Sequence, residues 1–334
     1  CHGQLGDAST IKRTSPKQIG TDHNWISVSA GHSYSLGLKA DGTLWAWGLN
    51  EHGQLGDGTL LNRTSPTQIG SDHHWIRIAS GEEHNLALKA DGTLWAWGYS
   101  ANGQLGTGNY ILQNSPVQIG TDHNWTSITA GLRSSLALKA NGTLWAWGYN
   151  SNGQVGDGTT TDKLSPVQIG TDENWISVSG GYLHSMGLKS NGTMWAWGQN
   201  SHGELGDGTN TDKTSPVQIG SQNHWVIIEA HHYFSQAVSA NGALWTWGYN
   251  NIGQLGDGTT VDKNVPIQVS SMDNWLNVSA GQTHSIFLRS NGSIWSTGGN
   301  EYGELGIGNN INKNTPIQIG TDHHWISIVT QSYF

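Results

Sequence analysis

Tryptophan and proline recur along this chain at a constant interval of 50 residues, without an insertion or a deletion. The tryptophans that show the interval are Trp25, Trp75, Trp125, Trp175, Trp225, Trp275 and Trp325. All seven prolines follow it as well, namely Pro16, Pro66, Pro116, Pro166, Pro216, Pro266 and Pro316. A repeat of this length is typical of β-propeller blades, whereas helical solenoids repeat at about 33 to 47 residues and show a 3.6-residue apolar spacing that is absent here.

One repeat, residues 21–70, predicts the strands of a blade. Side chains alternate from Trp25 to Ala30, which predicts strand A with Trp25 on the face opposite Ile26. A second alternating run follows Gly31 and predicts strand B. Asp41-Gly42 is expected to supply the two positive-φ residues of a tight hairpin turn.

Strands C and D complete the repeat. Strand C is predicted at residues 44–47, where two tryptophans share one face and the small Ala46 lies on the other. A long glycine-rich connection then leads to strand D at residues 65–69. Because Pro66 lacks an amide donor, strand D is expected at the outer edge of the blade.

The fold class that follows is all-β, a seven-bladed β-propeller of four-stranded antiparallel blades that forms a single domain over residues 1–334. The repeats are 21–70, 71–120, 121–170, 171–220, 221–270 and 271–320, with a split partial repeat made of 321–334 and 1–20. Seven repeats of 50 need 350 residues and the chain has 334, so 16 are missing. They correspond to Ser35–Asn50, and the blade shared by both termini is therefore expected to be incomplete.

Several motifs of the repeat identify a family. Trp47-Gly48, Gly53-Gln54-Leu55-Gly56, Pro66 and the small-glycine pair Ser80-Gly81 resemble the regulator of chromosome condensation repeat, and the resemblance covers essentially the whole chain. It implies a seven-bladed propeller with bacterial-type repeats. Its members include nucleotide-exchange factors for small GTPases, bacterial effectors and a secreted β-lactamase inhibitor protein, so it implies the fold more narrowly than the function.

Charge and composition exclude some partners. The formal net charge is −9, and the 15 lysines and arginines are dispersed, which argues against nucleic acid as a partner. No apolar stretch is long enough to predict a membrane span. The single Cys1 rules out an internal disulfide. Low charge and Asn/Thr/Gly-rich turns favour an extracellular or cell-surface bacterial protein.

The variable positions of the repeat lie mainly in the A–B turns, which share one edge of each blade with the C–D connections. Aromatic and charged side chains in these turns are predicted to contact a partner protein. The candidate residues are His32, Tyr34, Glu82, Glu83, His84, Arg133, Tyr182, His184, His231, His232, Tyr233, Phe234 and His284. Drift of unconstrained turn residues, or packing against the next blade, would produce the same variety.

Metal and catalytic sites find little support in the sequence. Glu229-Ala230-His231-His232 invites a zinc hypothesis, but adjacent strand or turn residues point in different directions and the usual ligand spacing is absent. No copy contains a nucleophile elbow or a phosphate-binding motif. We therefore predict no metal, no cofactor and no enzymatic activity.

The function predicted from these features is a non-catalytic scaffold that binds another protein through the A–B and C–D connections. The alternative is a lectin-like propeller that binds carbohydrate, which would need the same exposed aromatic side chain in blade after blade. An exchange factor or an enzyme inhibitor is less favoured, since the fixed interval of 50 residues leaves no room for an inserted wedge. A strand or hairpin donated by another chain is a further hypothesis for the incomplete blade.

Overall fold

Twenty-four strands follow one another in a computed structural model that describes residues 2–13, 17–270 and 273–330. They form six separate four-stranded sheets, each with its strands in the order A-B-C-D. The pairs for which a register is given are antiparallel. Each sheet is one blade.

The strand bounds repeat at the interval seen in the sequence. Blade 1 contains β1 Trp25–Ala30, β2 Tyr34–Lys39, β3 Leu44–Gly48 and β4 Arg63–Gln68. Blade 2 contains β5 Trp75–Ser80, β6 His84–Lys89, β7 Leu94–Gly98 and β8 Gln113–Gln118. Blade 3 contains β9 Trp125–Ala130, β10 Ser134–Lys139, β11 Leu144–Gly148 and β12 Lys163–Gln168.

The second half of the chain continues the pattern. Blade 4 contains β13 Trp175–Gly180, β14 His184–Lys189, β15 Met194–Gly198 and β16 Lys213–Gln218. Blade 5 contains β17 Trp225–Ala230, β18 Phe234–Ser239, β19 Leu244–Gly248 and β20 Lys263–Gln268. Blade 6 contains β21 Trp275–Ala280, β22 His284–Arg289, β23 Ile294–Gly298 and β24 Lys313–Gln318.

The predicted count of seven blades is wrong, because the fold is a six-bladed β-propeller. The partial repeat forms no strand among its described residues, 2–13, 17–20 and 321–330. In every complete sheet strands A and D are held by strands B and C, and the partial repeat lacks the residues that would form B and C. Residues 1, 14–16 and 331–334 of that repeat lie outside the described residues, and the donated hairpin stays a prediction.

The B–C turn differs from the predicted form. Gly42 has a positive φ of 77°, but Asp41 is not among the non-glycine residues with positive φ. The Asp41 carboxylate instead accepts hydrogen bonds from the Thr43 amide at 3.0 Å and the Thr43 hydroxyl at 2.7 Å. One left-handed residue is enough here because the side chain of Asp41 holds the other half of the turn.

Close contacts divide the chain into two compact units. The first unit includes the strands of blades 1 to 3. The second unit includes blade 4 from Ser179 onward, blades 5 and 6, and residues 152–156. The prediction of a single domain stays a prediction. Among the described residues, no helix has the length and apolarity that crossing a membrane requires.

The hydrophobic core lies between successive blades within each unit. In the first unit, Leu36 of blade 1 belongs to one buried cluster with Trp75 and Trp97 of blade 2. In the second unit, Met186 of blade 4 is clustered in the same way with Trp247 of blade 5. Contacts between neighbouring repeats therefore provide much of the apolar burial, as expected when a single repeat cannot bury its own apolar face.

Candidate functional site

The A–B turns contain both open and buried positions. Each of the six A–B turns in the described residues has three variable positions, of which the first two are half-buried and the third begins strand B and is buried. Five predicted contact residues occupy the third position and are at most 1% exposed: Tyr34, His84, His184, Phe234 and His284. These five side chains are therefore not placed to meet a partner directly.

The buried third position links one blade to the next. The Tyr34 hydroxyl donates to the carbonyl oxygen of His84 at 2.9 Å, and Nε2 of His84 lies 3.0 Å from the hydroxyl of Ser135. His184 makes the equivalent contact with Ser235 at 2.9 Å. Burial lowers the pKa of His84 and of His184 to about 3, because the charged imidazolium would lose its hydration.

In the first unit, the half-buried turn residues contact one another and a C–D connection through charged and polar groups. Arg133 Nε lies 3.0 Å from Glu82 Oε2, and His52 Nδ1 lies 3.1 Å from Glu83 Oε2. The remaining candidate of this unit, His32, is half-buried, and its amide donates to the carbonyl oxygen of Glu82 at 3.1 Å. The carboxylates of Glu82 and Glu83 thus already have side-chain partners within the first unit.

In the second unit, the turns bring five half-buried rings together, and we call them the tyrosine–histidine cluster. Its members are Tyr182, His202, His232, Tyr233 and Tyr249. The ring centroids of Tyr182 and His232 are 4.0 Å apart, and those of His232 and Tyr233 are 4.3 Å apart. Tyr249 lies 4.4 Å from His202 and 6.3 Å from Tyr233. Such packing holds the rings in fixed positions at a partly open surface.

Two cluster members were not predicted from the sequence. His202 and Tyr249 belong to C–D connections rather than to A–B turns. Tyrosine also stands 100 and 150 residues before Tyr249, at Tyr149 and Tyr99, which marks the position as a recurrent aromatic site. That recurrence is the sequence feature that could have indicated it.

Carboxylates adjoin the tyrosine–histidine cluster. Asp262 Oδ2 lies 3.0 Å from His202 Nδ1, with both side chains partly exposed. Glu204 is fully buried, and its Oε2 accepts a hydrogen bond from the amide of His202 at 2.8 Å. Burial raises the pKa of Glu204, and the pKa of Tyr233 is raised by burial, by Tyr182 and by this carboxyl group. Each of the two carboxyl groups beside the rings therefore has a contact with His202.

The segment that suggested zinc has a different arrangement. Glu229 Oε2 accepts a hydrogen bond from Ser179 at 3.0 Å, and the ring of His231 packs against that of Phe234 with centroids 5.5 Å apart. Burial lowers the pKa of His231 to about 3. Within the described part of the chain, no three histidine, cysteine, aspartate or glutamate side chains are placed to hold a metal ion.

The strand C tryptophans are buried or half-buried. Trp97 and Trp197 are fully buried, and their indole N–H groups donate to the carbonyl oxygens of Gln54 and Gln154 at 3.1 and 2.9 Å. The first tryptophan of the strand is half-buried, and in blade 1 it is Trp45, whose ring lies 3.9 Å from the ammonium of Lys39. The repeated open aromatic platform that a lectin would need is therefore not present on these strands.

Comparison with family models identifies the repeats. The RCC1-like domain model matches residues 1–231, and the regulator of chromosome condensation (RCC1) repeat model matches residues 241–288 and 291–330. A second model of the RCC1 repeat matches residues 275–304. No protein with a curated description matches the chain.

Solved structures share the fold at low sequence identity. Human WBSCR16 is 21% identical with a TM-score of 0.86, over 96% of this chain and 87% of that chain. Prp20p from Saccharomyces cerevisiae, a structure described with its binding to Gsp1p and histones, is 23% identical with a TM-score of 0.81, over 89% and 77%. Yeast RCC1 (Prp20) bound to Kap60 is 22% identical with a TM-score of 0.80, over 89% and 75%. With family models matching most of its length, the chain belongs to the RCC1-like domain family.

Proposed function

We propose that this chain is a non-catalytic protein-binding scaffold whose partner contacts the A–B turns and C–D connections of the second unit. The observation that carries the proposal is the tyrosine–histidine cluster. Tyrosine is enriched at protein interfaces because it offers a large apolar area and a polar tip at a low entropic cost. Five rings from the turns and connections of blades 4 and 5 provide such an area at a partly open surface.

The related structures support binding as the class of function. Prp20p binds Gsp1p and histones according to its description, and Kap60 is bound to the same yeast protein. Exchange activity is a weaker candidate for this chain because its repeats keep the 50-residue interval and leave no inserted segment. Carbohydrate binding is weaker too, since the strand C tryptophans are buried or covered. An extracellular location remains a prediction from composition.

Substitutions borrowed from the neighbouring repeat test the proposal without disturbing the fold. The residues of blade 6 that correspond to Tyr182 and Tyr233 of the earlier repeats are Gln282 and Thr283. We expect Tyr182→Gln and Tyr233→Thr to remove ring area from the surface while leaving the turn backbone as it is. Tyr110→Ser is the matched control, because Tyr110 is 59% exposed but belongs to the first unit.

The assay is cross-linking of the immobilised protein in extracts of its source organism, followed by affinity measurement with the purified partner. We expect each cluster substitution to weaken binding by about 30-fold or more, the size of a hot-spot loss. Tyr110→Ser should bind like the unmodified protein. Equal binding by all four proteins would place the contact elsewhere and refute this interface.

A further inference from the structure

We propose that the tyrosine–histidine cluster, with Glu204 and Asp262, binds a cationic side chain, an arginine or a lysine carried by a basic segment of the partner protein. This inference rests on the proposed function and specifies the chemistry of the same site. Three independent features of the second unit support it, namely a buried carboxylate, an exposed carboxylate and a set of tyrosine faces.

The buried carboxylate is the first feature. Glu204 is 0% exposed and its Oε2 is bound by the amide of His202, and no side chain among the described residues donates a hydrogen bond to its Oε1. A buried carboxylate oxygen without a partner is costly, and a cation placed beside it would offset that cost. Burial raises the pKa of this carboxyl group, and a cation beside it would stabilise its ionised form.

Comparison with the other repeats shows that the charge is particular to this site. Glutamine occupies the same position at Gln4, Gln54, Gln104, Gln154 and Gln254. In Gln54 and Gln254 the amide nitrogen also lacks a partner, so the position can leave one polar atom unpaired in a neutral form. Blade 6 has Glu304, but that side chain is half-buried and lies outside the cluster. Among these seven positions, only Glu204 combines full burial with an ionisable carboxyl group.

The exposed carboxylate and the rings are the second and third features. Asp262 lies 3.0 Å from His202 and is 38% exposed, so it can meet an incoming cation from the solvent side. The rings of Tyr233 and Tyr249 lie 5.8 and 4.4 Å from that of His202, and their own planes are 82° apart. Aromatic faces attract guanidinium and ammonium groups, and the attraction is larger where water is partly excluded.

The equivalent positions of the first unit explain why the second is favoured. His52 and Tyr99 form the same pair of rings, with centroids 4.8 Å apart. There, however, Glu83 stands where the second unit has Tyr233, and it is bound to His52 at 3.1 Å. Gln54 stands where the second unit has the ionisable Glu204. The first unit thus has the rings but not the buried carboxyl group.

A side-chain cation fits these features better than a metal ion. No group of three or more potential ligands is arranged for a metal in the described residues. Delocalised guanidinium groups pair with carboxylates and stack on aromatic faces at once. The overall charge of −9 would also favour the approach of a basic segment.

Calorimetric titration with three synthetic peptides tests the inference on the complete chain. The peptides share a Gly/Ser framework and contain arginine, lysine, or citrulline, which is a neutral isostere of arginine. We expect the arginine and lysine peptides to bind, the citrulline peptide to bind at least about tenfold more weakly, and added salt to weaken the first two.

The variants use residues that other repeats already tolerate at these positions. Glu204→Gln corresponds to Gln154, and Asp262→Asn corresponds to Asn312. Each should weaken the arginine peptide by at least about fivefold, with an unchanged circular dichroism spectrum and a thermal midpoint that is not lowered. Gln154→Glu is the matched control, since its surroundings carry Asn152 and Gln199 in place of the rings, and it should create no new binding.

Two results would overturn the inference. One is equal binding of the citrulline and arginine peptides, and the other is unchanged arginine-peptide binding by Glu204→Gln. If either occurs while Tyr182→Gln still abolishes capture of the partner, the proposed interface stands and only the cationic ligand is wrong. If Tyr182→Gln has no effect on the partner but Glu204→Gln weakens the peptide, the cationic site stands and the proposed interface is wrong.

Discussion

Replacement of Glu229 by glutamine should make the protein more stable at neutral and alkaline pH but not at acidic pH. The corresponding residues of the other blades are small: Ser29, Ala79, Thr129, Ser179 and Ser279. Glu229 therefore places a carboxyl group against the neighbouring strand, where it accepts one hydrogen bond, from Ser179 at 3.0 Å. Ser179 in turn accepts a bond from the amide of Ala230 at 2.9 Å.

The sign follows from the pKa of Glu229, which burial raises from 4.5 to about 7. The folded protein holds this proton more tightly than the unfolded chain does. The contribution of the group to stability is thus fully present below pH 4.5 and is lost as the pH rises through about 7. The difference between the two pKa values corresponds to about 3 kcal/mol, and partial solvent access of the half-buried side chain lowers this to about 2 kcal/mol.

The assay is urea unfolding followed by tryptophan fluorescence, at about pH 4, 6 and 8.5. Relative to the unmodified protein, Glu229→Gln should gain about 2 kcal/mol of unfolding free energy between the lowest and the highest pH. Glu229→Ser restores the residue found in other blades and should show the same pH trend. A difference between variant and unmodified protein that stays constant with pH would refute the assignment of the raised pKa to Glu229.

Two further predictions concern the contacts between blades. Trp97→Thr, which introduces the residue that blade 6 carries at Thr297, should lower the unfolding free energy by about 3 to 5 kcal/mol because it empties a fully buried site; a loss below about 1 kcal/mol in urea unfolding would contradict this. His184→Ser, the residue of blade 3 at Ser134, should flatten the acid unfolding curve followed by circular dichroism. The pKa of His184 is lowered from 6.5 to about 3, so its contribution is present above pH 6.5 and lost as the pH falls towards 3; an unchanged acid profile would contradict this.

The sequence predicted strand positions well because the same residue pattern recurs in every repeat. Strand A was expected at Trp25–Ala30, which are the bounds of β1, and strand C at residues 44–47 differs from β3 by one residue. The side-chain alternation within strand A was less predictable. A bulge between Trp25 and Ser27 interrupts the pairing with β2, and Ile26 is 61% exposed. A period-two pattern gives no indication of an extra residue in one strand.

The predicted blade count was wrong because the number of repeat motifs in the sequence need not equal the number of sheets in the fold. The partial repeat keeps the tryptophan at Trp325, and its amide still donates to the carbonyl oxygen of Gly292 at 3.3 Å. A repeat is recognised by its motif residues, but a sheet needs the strands between them. Where the residues corresponding to strands B and C are missing, the remaining residues keep some contacts of the repeat without forming a blade.

The candidate site could be predicted only in part, since two effects are invisible in a linear pattern. The third turn position alternates among Tyr34, His84 and Phe234, which suggested a variable surface, yet its variety reflects packing against the next blade. Conversely, His202 and Tyr249 are separated by almost a full repeat and meet only because the blades are stacked. The position of a residue within its turn therefore does not show whether its side chain is exposed or buried. It also does not show which residues of other repeats it contacts.

Residues that depart from the repeat at otherwise constant positions indicate a functional site better than residues that vary at the turns. Glu204 replaces a glutamine and Glu229 replaces a small residue, while His231 replaces a glycine, and all three belong to the second unit. Each places a titratable group in a largely enclosed position where the other blades show that a neutral residue suffices. Burying such a group costs stability unless a partner compensates it. The buried carboxyl group of Glu204, to whose Oε1 no described side chain donates and which acts on the half-buried Tyr233, is therefore the feature that most directly favours a ligand over simple packing.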